Sequence, residues 1–248
     1  LAALYFQYAR YLLISSSRPG GLPANLQGLW NGSYHPPWGC DYHFNVNTQM
    51  NYWPAETANL SECHIPLLEY VDSLRRPGRR TARMSFNARG WCVNWVSNVW
   101  GFTSPGQNLQ WGVCPEAGAW LCRHLWEHYE FTLDRGYLQW AYPIMKEAAE
   151  FCLDYLAEDR RGRLVFGPTV VPEKGYVIRG RVLYPAMGTA MGQQLVWELF
   201  GFCARSAAVL SVDAAFQKRL LAARGRLSPP QVGRDGAIQE WVEDLESD

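Results

Sequence analysis

The chain lacks any apolar run that approaches the roughly 20 residues needed to span a bilayer as a helix. It lacks a charge excess of either sign, since 23 Lys and Arg stand against 23 Asp and Glu. That removes the basic surface expected of a nucleic-acid binder. The one arginine cluster, Arg75, Arg76, Arg79 and Arg80, surrounds Pro77-Gly78 and reads as a solvated loop. No C-x-x-C spacing occurs, and the seven cysteines are an odd number, which argues against a zinc ribbon and a fully paired disulfide framework. Buried free thiols are the expectation. No internal repeat is visible, and strand-like alternation is scarce. The N-terminus has no charged, apolar and cleavage-site layout of a leader and opens within a helical pattern. A single domain over residues 1–248, cut at both ends from something longer, is the expectation. Asn31-Gly32-Ser33 and Asn59-Leu60-Ser61 fit the glycosylation pattern, so a secreted or extracytoplasmic parent is compatible and the compartment stays open. Oligomeric state is open as well.

Aromatic residues are abundant, at 14 % with twelve tryptophans. Trp and Tyr join a flat apolar face to a polar tip, which suits a ligand with both kinds of surface, such as a sugar ring. Helical spacing is seen at Leu1, Leu4, Tyr5, Tyr8 and Leu12, and again in a helix starting near Glu116 with Ala117, Leu121, Leu125 and Tyr129. The clearest stripe is Ile144, Met145, Ala148, Phe151, Cys152, Tyr155 and Leu156, with Pro143 placed for its first turn. Leu195, Leu199, Phe202, Ser206 and Val209 mark another helix, and Val212, Phe216 and Leu220 a shorter one. Asn59 with Glu62 reads as a capping box that opens a helix through Leu68 and Leu74. Between these lie long Gly-, Pro- and aromatic-rich stretches at 22–58, 85–115 and 160–185. The pattern predicts an all-α fold with long functional loops.

Three groups of residues could carry chemistry. In an extended segment His43, Asn45 and Asn47 would share one face, because side chains alternate with period two. One imidazole and two carboxamides would then serve hydroxyls or an ordered water, or simply hold a loop in place. Glu173 lies on a loop bounded by Pro172 and Gly175, where burial could raise a carboxyl pKa toward general-acid work. His124, Glu127 and His128 match the H-x-x-E-H spacing of a zinc peptidase class, or are helix-packing residues.

The first cluster carries a resemblance. Leu22-Pro23-Ala24-Asn25-Leu26-Gln27-Gly28-Leu29-Trp30, Pro36-Pro37-Trp38-Gly39, Asp41-Tyr42-His43-x-Asn45-x-Asn47 and Gln49-Met50-Asn51-Tyr52-Trp53-Pro54-Ala55-Glu56 resemble glycoside hydrolase family 95. So do Asn59 to His64, Gly118 to Tyr129, Pro172-Glu173 and Gln239-Glu240-Trp241-x-Glu243-Asp244, in order along the chain. The resemblance implies an (α/α)6 barrel, here a partial toroid, releasing L-fucose from α-1,2-linked fucosides with inversion; some relatives prefer α-L-galactosides. It assigns Glu173 as general acid, Asn45 and Asn47 as the pair that positions the attacking water, and His43 as a sugar contact. Trp100 and Trp120 are taken as further substrate contacts. No metal or cofactor is implied, and the expected partner is a fucosylated glycan.

A neutral carboxamide takes a proton only if it passes one onward to a carboxylate. In the family that carboxylate is an Asp beyond the last motif matched here, so little turnover is expected of this chain alone. Asp41, Glu56 and Glu116 are the carboxylates that could replace it. The chain also departs from the family at Asn94, Trp95 and Asn98, at Lys174 after the acid, and at Gly192 after Met191. The alternatives are a non-catalytic carbohydrate-binding remnant of the same fold and a zinc metallopeptidase using His124, Glu127 and His128.

Overall fold

The computed structural model describes residues 1–106 and 108–245. About half of the chain is helical: α1 (Ala2–Ser16), α2 (Asn47–Tyr52), α3 (Pro54–Thr57), α4 (Ser61–Ser73), α5 (Arg75–Phe86), α6 (Leu109–Gly112), α7 (Ala117–Thr132), α8 (Arg135–Asp154), α9 (Ala190–Leu210) and α10 (Ala214–Arg226). The strands are short and pair only in antiparallel twos. β1 (Tyr42–His43) pairs with β2 (Val96–Ser97), and β3 (Leu156–Glu158) with β4 (Leu164–Phe166). β5 (Thr169–Val170) pairs with β8 (Pro185–Ala186), enclosing the hairpin of β6 (Tyr176–Ile178) and β7 (Arg181–Leu183).

The core is built where the helical periodicity is strongest. α7 packs on α8 and α9, α9 on α10, and α4 on α7. Leu121, Leu125, Ile144, Met145, Val196 and Leu199 are fully buried between them. Each such side chain is worth about 1.5–3 kcal/mol relative to exposure. Asp134 caps α8 by accepting from Gly136 N and Tyr137 N at 2.7 and 3.1 Å, and Thr189 caps α9 by accepting from Gly192 N at 3.1 Å. All seven cysteines are free thiols; six are buried and Cys40 is half-buried. No helix among the described residues is long and apolar enough to cross a membrane.

Four local expectations change. Pro143 lies inside α8 rather than in its first turn, because Leu138, Ala141 and Tyr142 are also buried and carry the helix back to Arg135. Asn59 does not cap α4. It adopts a left-handed φ of 58°, a conformation Asn tolerates, and Leu60 takes the cap position without a side-chain bond. The arginine cluster is not a loop but the start of α5: Arg75 and Arg79 both grip Glu147 of α8, at 2.5 and 2.6 Å to Oε1. The apolar stripe of α1 forms a helix as its spacing predicts, yet Leu4, Tyr5 and Tyr8 are exposed and only Leu13 is buried.

Candidate active site

The stretch 22–58, expected to be one long loop, is largely irregular only up to Val46, after which α2 and α3 follow, and it is tightly tied. Tyr52 Oη meets Ser17 Oγ at 2.6 Å and accepts from Ala24 N at 2.7 Å. Asn51 Nδ2 donates to Asn25 O at 3.1 Å, and Leu26 N to Asp41 O at 3.0 Å. This lashing fixes the path into β1. The fully buried Phe44 donates its N–H to Trp95 O at 2.7 Å and accepts from Gln49 Nε2 at 2.8 Å. The strand then ends abruptly. Val46 has φ 152°, and Asn47 begins α2. Strand alternation therefore does not bring His43, Asn45 and Asn47 together, since β1 covers only Tyr42–His43. The turn from strand into helix does so instead, and all three line one pocket.

Glu173 reaches the same pocket from the other half of the chain. Its loop leaves β5, is closed by Lys174 N donating to Val171 O at 3.1 Å, and holds Glu173 at φ 65°. The terminal segment steadies this loop from outside: Ala190 N donates to Glu240 O at 2.8 Å, and Glu240 Oε1 lies 3.3 Å from Lys174 Nζ. Asn45 Nδ2 donates to Glu173 Oε1 at 3.4 Å. The acid candidate and one carboxamide, 128 positions apart in sequence, are thus in direct contact. Glu173 is exposed, so the burial considered for it from sequence is not found.

The pocket encloses about 650 Å³. Its remaining wall is formed by Leu26, Gln27, Trp38, Trp95, Val96 and Trp111. Trp95 is buried, donates Nε1 to Val113 O at 3.1 Å and meets Trp111 edge to face at 6.2 Å. Trp100 and Trp120 stand elsewhere: Trp100 is 88 % exposed on its own loop, and Trp120 is partly buried against the helical core. The tryptophans of this pocket were not separable from the others by sequence, since only loop geometry selects them. His43 Nε2 lies 2.6 Å from Asp41 Oδ1, a close contact of imidazole and carboxylate without hydrogen-bond alignment.

A second polar cluster is buried between α3, α4 and α7. Glu56 Oε1 accepts from His64 Nδ1 and His128 Nδ1, each at 2.7 Å, and Ser61 Oγ donates to Oε2. His64 Nε2 meets His124 Nδ1 at 3.0 Å. Burial raises the Glu56 pKa, but the bonds from His128, His64 and Ser61 outweigh it and hold the carboxyl below the usual range. Burial lowers both His64 and His124. Glu56, His64 and His128 present three candidate ligand atoms within 4.8 Å of one another. Contacts of 2.7 Å are nonetheless hydrogen bonds; two ligands of one tetrahedral zinc sit about 3.3 Å apart, given bonds near 2.0–2.1 Å. His124 and His128 share a face of α7 as their spacing predicts, but Glu127 is not part of the cluster. This is a satisfied polar network, and Glu56 is committed to it.

Glu116 is fully buried beside the acid loop. Its Oε2 accepts from Thr169 Oγ1 at 2.7 Å, and burial pushes its pKa up to about 7 against that bond. None of the three carboxylates considered as partners for the asparagines lines the pocket; Asp41 comes nearest, in contact with His43, which does.

The whole chain, residues 1–248, matches the model of the glycosyl hydrolase family 95 catalytic domain. The chain belongs to glycosyl hydrolase family 95. It is 39 % identical to alpha-L-fucosidase 2 of Arabidopsis thaliana over 99 % of this chain and 30 % of that protein. It is 38 % identical to the probable alpha-fucosidase A of Aspergillus niger over 98 % of this chain and 31 % of that one. It therefore spans under a third of the length of these relatives. Among solved structures, a putative kojibiose phosphorylase from human microbiome superimposes with TM-score 0.69 over 95 % of this chain and 35 % of that one, at 8 % identity. That likeness concerns the fold, a predominantly helical one.

Proposed function

We propose that this family 95 chain is the acid-bearing part of an (α/α)6 catalytic domain that releases L-fucose from α-1,2-linked fucosides with inversion. The observation that carries the reading is the convergence of Glu173, Asn45, Asn47 and His43 on one pocket from two distant stretches of chain. Glu173 protonates the departing glycosidic oxygen. Asn45 and Asn47 hold the attacking water on the opposite side of the sugar, and His43, in contact with Asp41, bonds a sugar hydroxyl. An inverting site needs about 6.5–9.5 Å between its acid and its water-activating group. The 3.4 Å contact between Glu173 and Asn45 is too short for that, so the Glu173 side chain must rotate off Asn45 to admit a sugar. Its exposure leaves it free to do so.

Among the described residues, Glu173 is the only carboxylate on the pocket wall. A carboxamide with no carboxylate to receive its proton is a poor base, so residues 1–248 alone are expected to bind fucosides and turn them over slowly. The same observation favours a second reading, a carbohydrate-binding remnant with no turnover. A fucosyl-α1,2-galactose assay separates the two. Slow release of L-fucose, appearing first as the β anomer by NMR, supports the hydrolase. The α anomer appearing first overturns inversion, and no release leaves the binding remnant. L-fucose should raise the thermal midpoint of the native chain but not of His43→Ala or Asn47→Ala. A native chain that neither L-fucose nor the disaccharide protects would end both readings.

A further inference from the structure

We propose that Trp38 is the platform for the second sugar, the hexose on the leaving-group side; this rests on the fucosidase reading above. Trp38 lines the pocket yet is 77 % exposed, so it contributes almost nothing to the core. It differs in this from Trp95 and Trp111, which pair with each other and form a fixed wall. No aromatic ring among the described residues stacks on Trp38, and the indole is left largely open to solvent at the pocket.

The backbone beneath it is held in a costly conformation. Trp38 (φ 50°), Gly39 (φ 70°) and Cys40 (φ 50°) are three successive left-handed residues. For a residue with a Cβ this region costs about 1–2 kcal/mol, and a large aromatic does not adopt it without external restraint. The restraint is visible. Gly39 N donates to Pro36 O at 3.2 Å, Cys40 Sγ to Asn25 Oδ1 at 3.2 Å, and Leu26 N to Asp41 O at 3.0 Å. The loop thus strains itself to project an unpacked indole beside the catalytic groups. Strain that persists under such restraint points to a use.

The chemistry of that use follows from the shape of the site. Its polar groups gather at His43, Asn45, Asn47 and Glu173, where the sugar being released must sit. At about 650 Å³ the pocket falls within the range of sites that hold ligands larger than one ring. A galactose-like pyranose carries most of its C–H bonds on one face, and that face packs flat on an indole while its hydroxyls stay in water. Trp38, the most exposed aromatic of the pocket, meets the ring outside the released sugar.

The test is calorimetric titration of the native chain and of Trp38→Ala, Trp38→Phe and Trp38→Gly with L-fucose and with fucosyl-α1,2-galactose. Trp38→Ala should weaken the disaccharide by about tenfold, the equivalent of one aromatic contact, and leave L-fucose unchanged. Trp38→Phe should restore most of the loss. Trp38→Gly should bind as weakly as Trp38→Ala yet melt about 2–4 °C higher, because glycine relieves the left-handed strain. Disaccharide affinity unchanged in Trp38→Ala, or both ligands weakened alike, would overturn the proposal while leaving the fucosidase reading intact. A midpoint for both Trp38→Ala and Trp38→Gly well below that of the native chain would mean that the indole serves the fold, and would overturn it too. A native chain that binds neither ligand removes the functional reading and this one with it.

Discussion

Replacing Glu56 with alanine deletes one side chain and orphans three donors. His64 Nδ1, His128 Nδ1 and Ser61 Oγ all give their hydrogen to this carboxylate, and both imidazoles are buried. An unsatisfied buried donor costs about 1–3 kcal/mol. Three of them, partly rescued by water entering the space left, come to roughly 5 kcal/mol. That is a large share of the about 5–15 kcal/mol that holds a domain folded. For a chain of this size the thermal midpoint should fall by about 10–20 °C. Glu56→Gln keeps one oxygen for the imidazoles and loses the charge, so about 2 kcal/mol and a fall of about 4–8 °C are expected. Calorimetry of the three proteins at pH 7.5 is the assay. Acid should act on the same network. His64 and His124 stay neutral in the fold, whereas the unfolded chain protonates them below about pH 6.5, so stability drops on acidification from that point. Two protons correspond to roughly 2.7 kcal/mol per pH unit where both titrate. The depressed Glu56 adds its own loss below about pH 4.5. A Glu56→Ala midpoint within 2 °C of native would refute the network as a structural keystone, as would a Glu116→Gln midpoint, free of the opposing carboxyl, that is flat from pH 7 to 5.

Glu116 should behave with the opposite sign. Its folded pKa near 7 exceeds the ordinary 4.5, so its contribution is full below pH 4.5 and is lost as pH rises through 7. Glu116→Gln should raise the midpoint by about 5–10 °C at pH 8 and much less at pH 5; equal shifts at the two pH values would show that the carboxyl is not held protonated. Gly90 sits at φ 64°, where a Cβ would come within 1.9 Å of Glu147 O and 2.8 Å of Phe151 N in α8. Gly90→Ala should cost more than about 3 kcal/mol, whereas Gly20→Ala, at φ 82° with nothing within 4 Å, should cost about 1 kcal/mol, the backbone preference alone. Comparable midpoints for the two would refute the collision.

The helices α7, α8 and α9 were legible in the sequence because each buries a stripe at helical spacing, the one signal periodicity reports. The order of motifs from residue 22 to Glu173 identified the pocket residues, although spacing alone gave the wrong reason for their meeting. His43, Asn45 and Asn47 converge because Val46 breaks the strand, and nothing in the residue types announces a φ of 152° there. Pro143 and the Arg75–Arg80 stretch misled for a related reason. Local propensity favoured a helix start and a loop, and tertiary contacts with α7, α9 and Glu147 prevailed. Which tryptophans face the pocket was not legible at all. Trp38, Trp95 and Trp111 come from three separate segments that only the fold brings together, whereas Trp100 lies on an exposed loop and Trp120 on α7. The short reach between Asn45 and Glu173 is likewise a product of the whole fold.

The distribution of thiols has a practical corollary. Six of the seven sulfhydryls are shut away from water, and Cys40 alone is within reach, two residues from Trp38. A thiol-reactive reagent added to the native chain should therefore mark one site per molecule near the pocket mouth, and the other six only on molecules that have opened. The mass of each labelled molecule then records whether it stayed closed, and the singly tagged fraction carries a reporter on the loop that holds Trp38.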